Sequence, residues 1–375
     1  VNNYCSQKFW WLTVEPERRQ IQSCCAAYPH KIDLNWIKNN PGKLFNAPVL
    51  LQERTDMLND VPVASCEASC WSAERGGKTS RRLYMKSYEK SHTDIYANPE
   101  VLSINLGSDC NLTCVYCTKQ YSTAWLRDII NNGPYIDDPR YQINNDDKIT
   151  IRLGQKKITN HESYNLIIEE LAHYTDCKEI FITGGEPFLH NNLADIVKSL
   201  KHNQIRLYTG LGVDTNRLER ILNQMPNNVE FVVSAENIDR HYEFVRYNNS
   251  FSKFTTNLNL IREHGKVVFN SVVSNLTIFN FDAFEQYYPD DEIILNFCND
   301  PDYLSLNVLD EESKEIILEK TFRTNPDLIH STLKQNYEVN QKNNLVTFLK
   351  QYASRRNLDL NLFPKHFITW LNTAQ

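Results

Sequence analysis

"VLSINLGSDCNLTCVYC", residues 101–117, joins two kinds of text. "VLSINLGSD" from Val101 is a short β-branched run ending in loop residues, and it reads as a strand. Cys110, Cys114 and Cys117 follow at once. The strand sets the fold, and the cysteines set the chemistry.

Five further runs repeat the strand pattern. They are "EIFITGGEP" from Glu179, "QIRLYTG" from Gln204, "VEFVVSAEN" from Val229, "KVVFNSVVSN" from Lys266 and "EIILNFCND" from Glu292. Helical periods lie between them: "SYNLIIEELAHYT" from Ser163, "NNLADIVKSLKHN" from Asn191, and "NLNLIREH" at 257–264 stopped by Gly265. Six βα units in succession predict an α/β fold, a partial (β/α)6 TIM-like barrel. In such folds chemistry sits at the C-terminal ends of the strands. The cysteine loop, "GGEP" and Cys298 would therefore share one face.

Outward from this core the text changes. Residues 1–96 read as a small Cys-rich N-terminal lobe, irregular and interrupted by prolines, ending near a linker in "SHTDIYANPE". Residues 97–305 form the core. Residues 306–375 read as a helical C-terminal tail, with "EESKEIILEKTF" and "NNLVTFLKQYASRR" as its clearest helices. The polar stretch from Asn132 to Thr159 reads as an insertion covering the site.

The 375 residues carry a formal charge of −6, which supplies no field to draw nucleic acid or an anionic membrane. Nothing near Val1 resembles a signal peptide, and no apolar run is long enough to span a bilayer. The expectation is a cytoplasmic protein with neither membrane nor nucleic-acid partner. Arg81, Arg82, Lys86, Lys90, Lys156 and Lys157 read as solvated surface. In a reducing compartment ten cysteines point to metal binding or catalysis rather than disulfides.

Three cysteines are one short of a closed zinc site, and the next His along the chain is His161. A [4Fe–4S] cubane has four irons, each wanting one outer ligand. Three thiolates would hold three of them and leave the fourth open to substrate or cofactor.

"CNLTCVYC" resembles the CxxxCxφC signature of radical S-adenosylmethionine (SAM) enzymes, with Tyr116 at the aromatic position. "ITGGEPFL" is similar to that family's GGEP motif at Gly184, Gly185, Glu186 and Pro187. The resemblance covers residues 99 to about 300 and implies a SAM-binding [4Fe–4S] cluster on Cys110, Cys114 and Cys117. It implies SAM chelated at the open iron and cleaved by one electron, from a donor such as flavodoxin or ferredoxin. The resulting 5′-deoxyadenosyl radical would abstract a substrate hydrogen. Two glycines would let the backbone approach the methionine moiety, and Glu186 would accept from its ammonium. Ser234 and Glu236 match positions where relatives contact the ribose, although Glu236 and Asn237 stand where many carry Asp and Gly. The competing reading is a helix cap.

Cys5, Cys24, Cys25, Cys66 and Cys70 resemble a twitch or SPASM-type auxiliary segment, here placed before the core rather than after it. Four of these five would hold a second, auxiliary [4Fe–4S] cluster; zinc is the alternative. Trp10, Trp11, Trp36 and Trp71 would shield it. Relatives with such segments often modify peptides or proteins, so a peptide or protein is the expected substrate, with maturation by epimerisation or another C–H modification. A small metabolite or nucleotide is one alternative, and a non-catalytic zinc-binding module another. Cys298 ends the sixth strand and is the candidate hydrogen-atom donor; a small buried hydrophobe is what free Cys more often is. Cys177 reads as core.

Overall fold

The computed structural model describes residues 3–77, 80–85, 94–136, 138–143, 161–200, 204–334 and 341–373. Most of the expected insertion, 144–159, lies outside the described residues, as do Lys86, Lys90, Lys156 and Lys157. The chain forms two compact units. One comprises 1–107, 157–207 and 224–229, and the other 108–156, 208–223 and 230–375.

In the first unit, β1 (Trp11–Glu15), β2 (Gln20–Gln22) and β3 (His30–Lys31) precede the strands read from the sequence, β4 (Val101–Asn105), β5 (Glu179–Thr183) and the start of β6 (Ile205–Thr209). β4, β5 and β6 run parallel, with Leu102 beside Ile180 and Ile180 beside Ile205. The N-terminal residues were expected to be irregular. Instead β1 pairs parallel with β4, Leu12 against Leu102, and then turns into the antiparallel β2 and β3. Leu12, Val14, Leu102, Ile104, Ile180 and Ile182 are all buried, so β1 is filled like an interior strand.

In the second unit, β7 (Val229–Val233) from Glu230 onward, β8 (Val267–Val273) and β9 (Ile293–Phe297) are likewise parallel. Their crossover helices carry side-chain N-caps where the sequence supplies Asp or Ser. Asp214 caps Thr215–Leu222 and Ser250 caps Phe251–Arg262. The latter helix begins six residues before the expected Asn257, because Ser250 is its start signal. Beyond β9 the described helices are Glu311–Leu318, Pro326–Leu333, Gln341–Arg356 and Lys365–Asn372. The fold is thus α/β, with parallel strands and flanking helices. Among the described residues no helix is long and apolar enough to cross a membrane.

Candidate functional site

The cysteine loop belongs to the second unit. A buried loop must find partners for its backbone polar groups, and here side chains supply them. The carbonyl of Asn111 accepts from Asn248 Nδ2 (3.2 Å), that of Leu112 from Ser122 Oγ (2.6 Å) and that of Cys114 from Trp125 Nε1 (2.9 Å). The Tyr352 hydroxyl lies 2.8 Å from the Thr113 carbonyl, and the Tyr141 hydroxyl donates to Cys117 O at 3.2 Å. Thr113 and Val115 N–H donate to the carbonyls of Tyr247 and Val245. The loop's shape is therefore imposed from outside.

Cys110, Leu112 and Cys114 form one buried cluster, with Tyr116 and Cys117 packed against it. Two of the sulfurs accept hydrogen bonds: Cys110 from the Leu112 N–H (3.5 Å) and Cys114 from Arg246 Nη1 (3.8 Å). Burial pushes the Cys114 and Cys117 thiols up; Arg246 works against that rise. Among the described residues no group of three or more His, Cys, Asp or Glu side chains is arranged to hold a single metal ion. A cubane asks for something different: soft thiolate donors set apart by the width of a cluster, with hydrogen bonds to sulfur. The three cysteines supply the soft donors, and two of them have a sulfur already accepting a hydrogen bond.

Glu236 and Tyr116 meet each other. The Tyr116 hydroxyl donates to Glu236 Oε1 (2.9 Å), and Arg246 Nη2 donates to Glu236 Oε2 (2.7 Å), with both ion-pair partners buried. Neither Ser234 nor Glu236 caps the next helix; Asp239–Val245 has no side-chain cap. Ser234 is half-buried at the end of β7, its N–H donating to Thr209 O at 2.8 Å. Arg246 was not singled out from the sequence.

Cys298 follows β9, its N–H bonded to Val273 O at 2.9 Å. It is buried, and burial pushes its thiol up to about 12, so it is a protonated S–H, directed to Pro301 O at 3.9 Å.

The GGEP sequence belongs to the first unit. Gly184 has φ +143°, and a Cβ there would lie 2.9 Å from Gly107 O. The Gly185 N–H donates to that same carbonyl at 2.9 Å. The first glycine is thus required by the approach of its own chain. Pro187 opens a short 3-10 turn, and buried Glu186 Oε1 accepts from the Phe188 N–H at 3.2 Å.

The same unit gathers the N-terminal cysteines. Cys5, Cys24, Cys66 and Cys70 line one pocket together with Lys8 and Arg82. Cys25 is exposed, so of the adjacent pair it is Cys24 that turns inward. Burial raises Cys5 to about 12 and Cys66 to about 11. Cys25 is lowered to about 7, chiefly by its hydrogen bond with Cys24. Both cations are pinned. Lys8 Nζ bonds Glu53 Oε2 (2.8 Å), Ser23 Oγ (3.1 Å) and Ser65 Oγ (3.0 Å), while Arg82 pairs with Glu74. Arg82 is therefore not the solvated surface residue expected; it is buried because it stacks on Trp71, 4.6 Å away, and faces the thiols. Trp71 packs with Cys5 and Cys66 as a shield. Trp11 instead lies in the sheet against Phe181, ring centroids 5.5 Å apart. Four thiols and two fixed cations suit an anionic metal–thiolate centre. Cys177 is core, donating to Pro99 O at 3.1 Å.

Residues 104–287 match the family model of the Radical SAM superfamily. No curated protein matches the chain. It is similar to a solved structure described as "Native anSMEcpe with bound AdoMet and Cp18Cys peptide", at 17% identity and a TM-score of 0.34, over 68% of this chain and 58% of that one. The matched family span takes in the three-cysteine loop, GGEP and Glu236, and places residues 104–287 in the radical SAM superfamily.

Proposed function

We propose that this radical SAM enzyme modifies a peptide or protein by hydrogen abstraction. Cys110, Cys114 and Cys117 would hold the SAM-binding [4Fe–4S] cluster, and Gly184, Gly185, Glu186 and Pro187 would bind the methionine end of SAM. When bound, the cluster and SAM supply one-electron cleavage of a sulfonium and the hydrogen-abstracting power that follows from it. The chain's own part is to hold three sulfurs in a dry, externally braced loop and to leave no fourth thiol there. The carrying observation is that loop, with hydrogen bonds reaching the sulfurs of Cys110 and Cys114.

The pocket of Cys5, Cys24, Cys66 and Cys70 would hold an auxiliary [4Fe–4S] cluster. Four protein thiolates saturate it, which assigns it electron relay or structure rather than substrate ligation. Peptide substrates accord with the twitch- or SPASM-like reading of that segment, and flavodoxin or ferredoxin is the class of donor required. If the reaction is an epimerisation, the protonated Cys298 is the group to return the hydrogen.

Anaerobic reconstitution tests the assignment. The chain should bind about eight irons and about eight sulfides, four per cluster. Cys114→Ala should retain about four, and the Cys5, Cys24, Cys66 and Cys70 quadruple alanine variant should also retain about four. Stoichiometric zinc with no sulfide would remove the reading.

A further inference from the structure

Arg246 lies outside the two motifs quoted above, yet its guanidinium sits where it can act on one thiol. It ends the helix Asp239–Val245, is 3% exposed, and points three ways. Nη1 reaches Cys114 Sγ at 3.8 Å, Nη2 reaches Glu236 Oε2 at 2.7 Å, and the plane lies over the Tyr116 ring, 5.5 Å from its centre. Tyr116 closes the network through its own bond to Glu236. Nε is buried with no hydrogen-bond partner among the described residues.

Desolvating this pair is expensive, and an apolar pair of the same volume would often stabilise a core equally well. What an apolar pair cannot do is donate to sulfur. A guanidinium stays protonated at any working pH and holds a fixed fork, so the donation is permanent. Hydrogen bonds to cluster sulfurs and nearby charge set reduction potentials. Reduction places one extra electron on the cluster and takes up no proton, so a cation beside a ligand sulfur favours the reduced form. Glu236 moderates that effect, since its carboxylate offsets part of the field and locks the fork in place.

We propose that Arg246 is a positioning residue for the Cys114 ligand, raising the reduction potential of the cluster on Cys110, Cys114 and Cys117, with Glu236 limiting the rise. This rests on the cluster assignment above, and the test separates the two. The readout is an anaerobic redox titration with dithionite, followed by electron paramagnetic resonance in the absence of SAM. The signal to follow is the one that Cys114→Ala abolishes.

Arg246→Met combined with Glu236→Gln removes the ion pair without changing net charge. It should keep its iron and lower the ratio of reduced to oxidised cluster at a fixed poise about tenfold, which is 59 mV for one electron. Glu236→Gln alone frees the guanidinium's charge and should shift the ratio the other way. Arg246→Lys keeps the cation and should fall between the double variant and the wild type. Should the double variant fail to hold iron, the sign of the Glu236→Gln shift decides. A Glu236→Gln ratio at or below the wild-type value, or a double variant within twofold of it, overturns the proposal. Wild-type protein that takes up no iron and sulfide overturns the cluster assignment instead.

Discussion

Cys24 and Cys25 are neighbours in the chain with opposite surroundings. Cys24 is buried, lines the thiol pocket and accepts from the Ala26 N–H at 3.4 Å, whereas Cys25 is exposed and lowered to about 7. Thiolate is the species that alkylates. Limiting iodoacetamide at pH 7.5 on the metal-free protein should therefore label Cys25 ahead of Cys5 and Cys66, as read by peptide mass spectrometry. Glu53 makes a second prediction. Burial raises its carboxyl, but His30, Lys8 and Ser23 overcome that and hold it at about 2, against an ordinary 4.5. A depressed carboxyl contributes stability above its unfolded value and loses it as pH falls toward the folded one. The urea midpoint should drop between pH 4.5 and 2, and Glu53→Gln should flatten that part of the profile. At this scale the cysteine trio was legible, because spacing alone betrays it. Arg246 was not, since its partners lie 10 and 132 residues away and only folding brings them together.

Among elements, the helix Gln341–Arg356 governs the cysteine loop from a distance in sequence. Its Tyr352 hydroxyl reaches Thr113 O, and Arg356 donates to Thr113 Oγ1 at 3.2 Å. The Arg356 guanidinium also sits over the rings of Tyr352 (4.0 Å) and Trp125 (4.8 Å). Tyr352→Phe leaves a buried carbonyl short of a donor, at a cost of about 1–3 kcal/mol. It should lower the urea midpoint and speed iron release to a chelator, with Cys114→Ala as the control that has no such iron to lose. The tail was readable as helix from its periodicity, but its grip on Thr113 was not, because a tyrosine and an arginine on a helix face advertise no partner. Strands β4 to β9 were legible as β-branched runs between loop residues. β2 and β3 were not: three residues and two are too short to show an alternation. β1, "WLTVE", was hidden by the proline-broken text around it.

For the whole molecule, the two groups of cysteines divide the labour by number. One unit offers four thiols and two pinned cations in a pocket, and the other offers three in a braced loop. Four would close a coordination shell and three would leave it open, so on the proposed assignment the reactive centre is the one with fewer protein ligands. The family was legible because motif, order and strand placement agreed. The substrate was not, because no residue pattern in the chain names a bond to be broken.

The central claim is an open iron beside three cysteines, and release of 5′-deoxyadenosine measures it directly. Reconstituted protein given dithionite and SAM should form 5′-deoxyadenosine and methionine in equal amounts, and Cys114→Ala should form neither while keeping the iron of its other cluster. Iron-loaded wild-type protein that forms no 5′-deoxyadenosine, or a Cys114→Ala variant that forms it at the wild-type rate, would contradict the account.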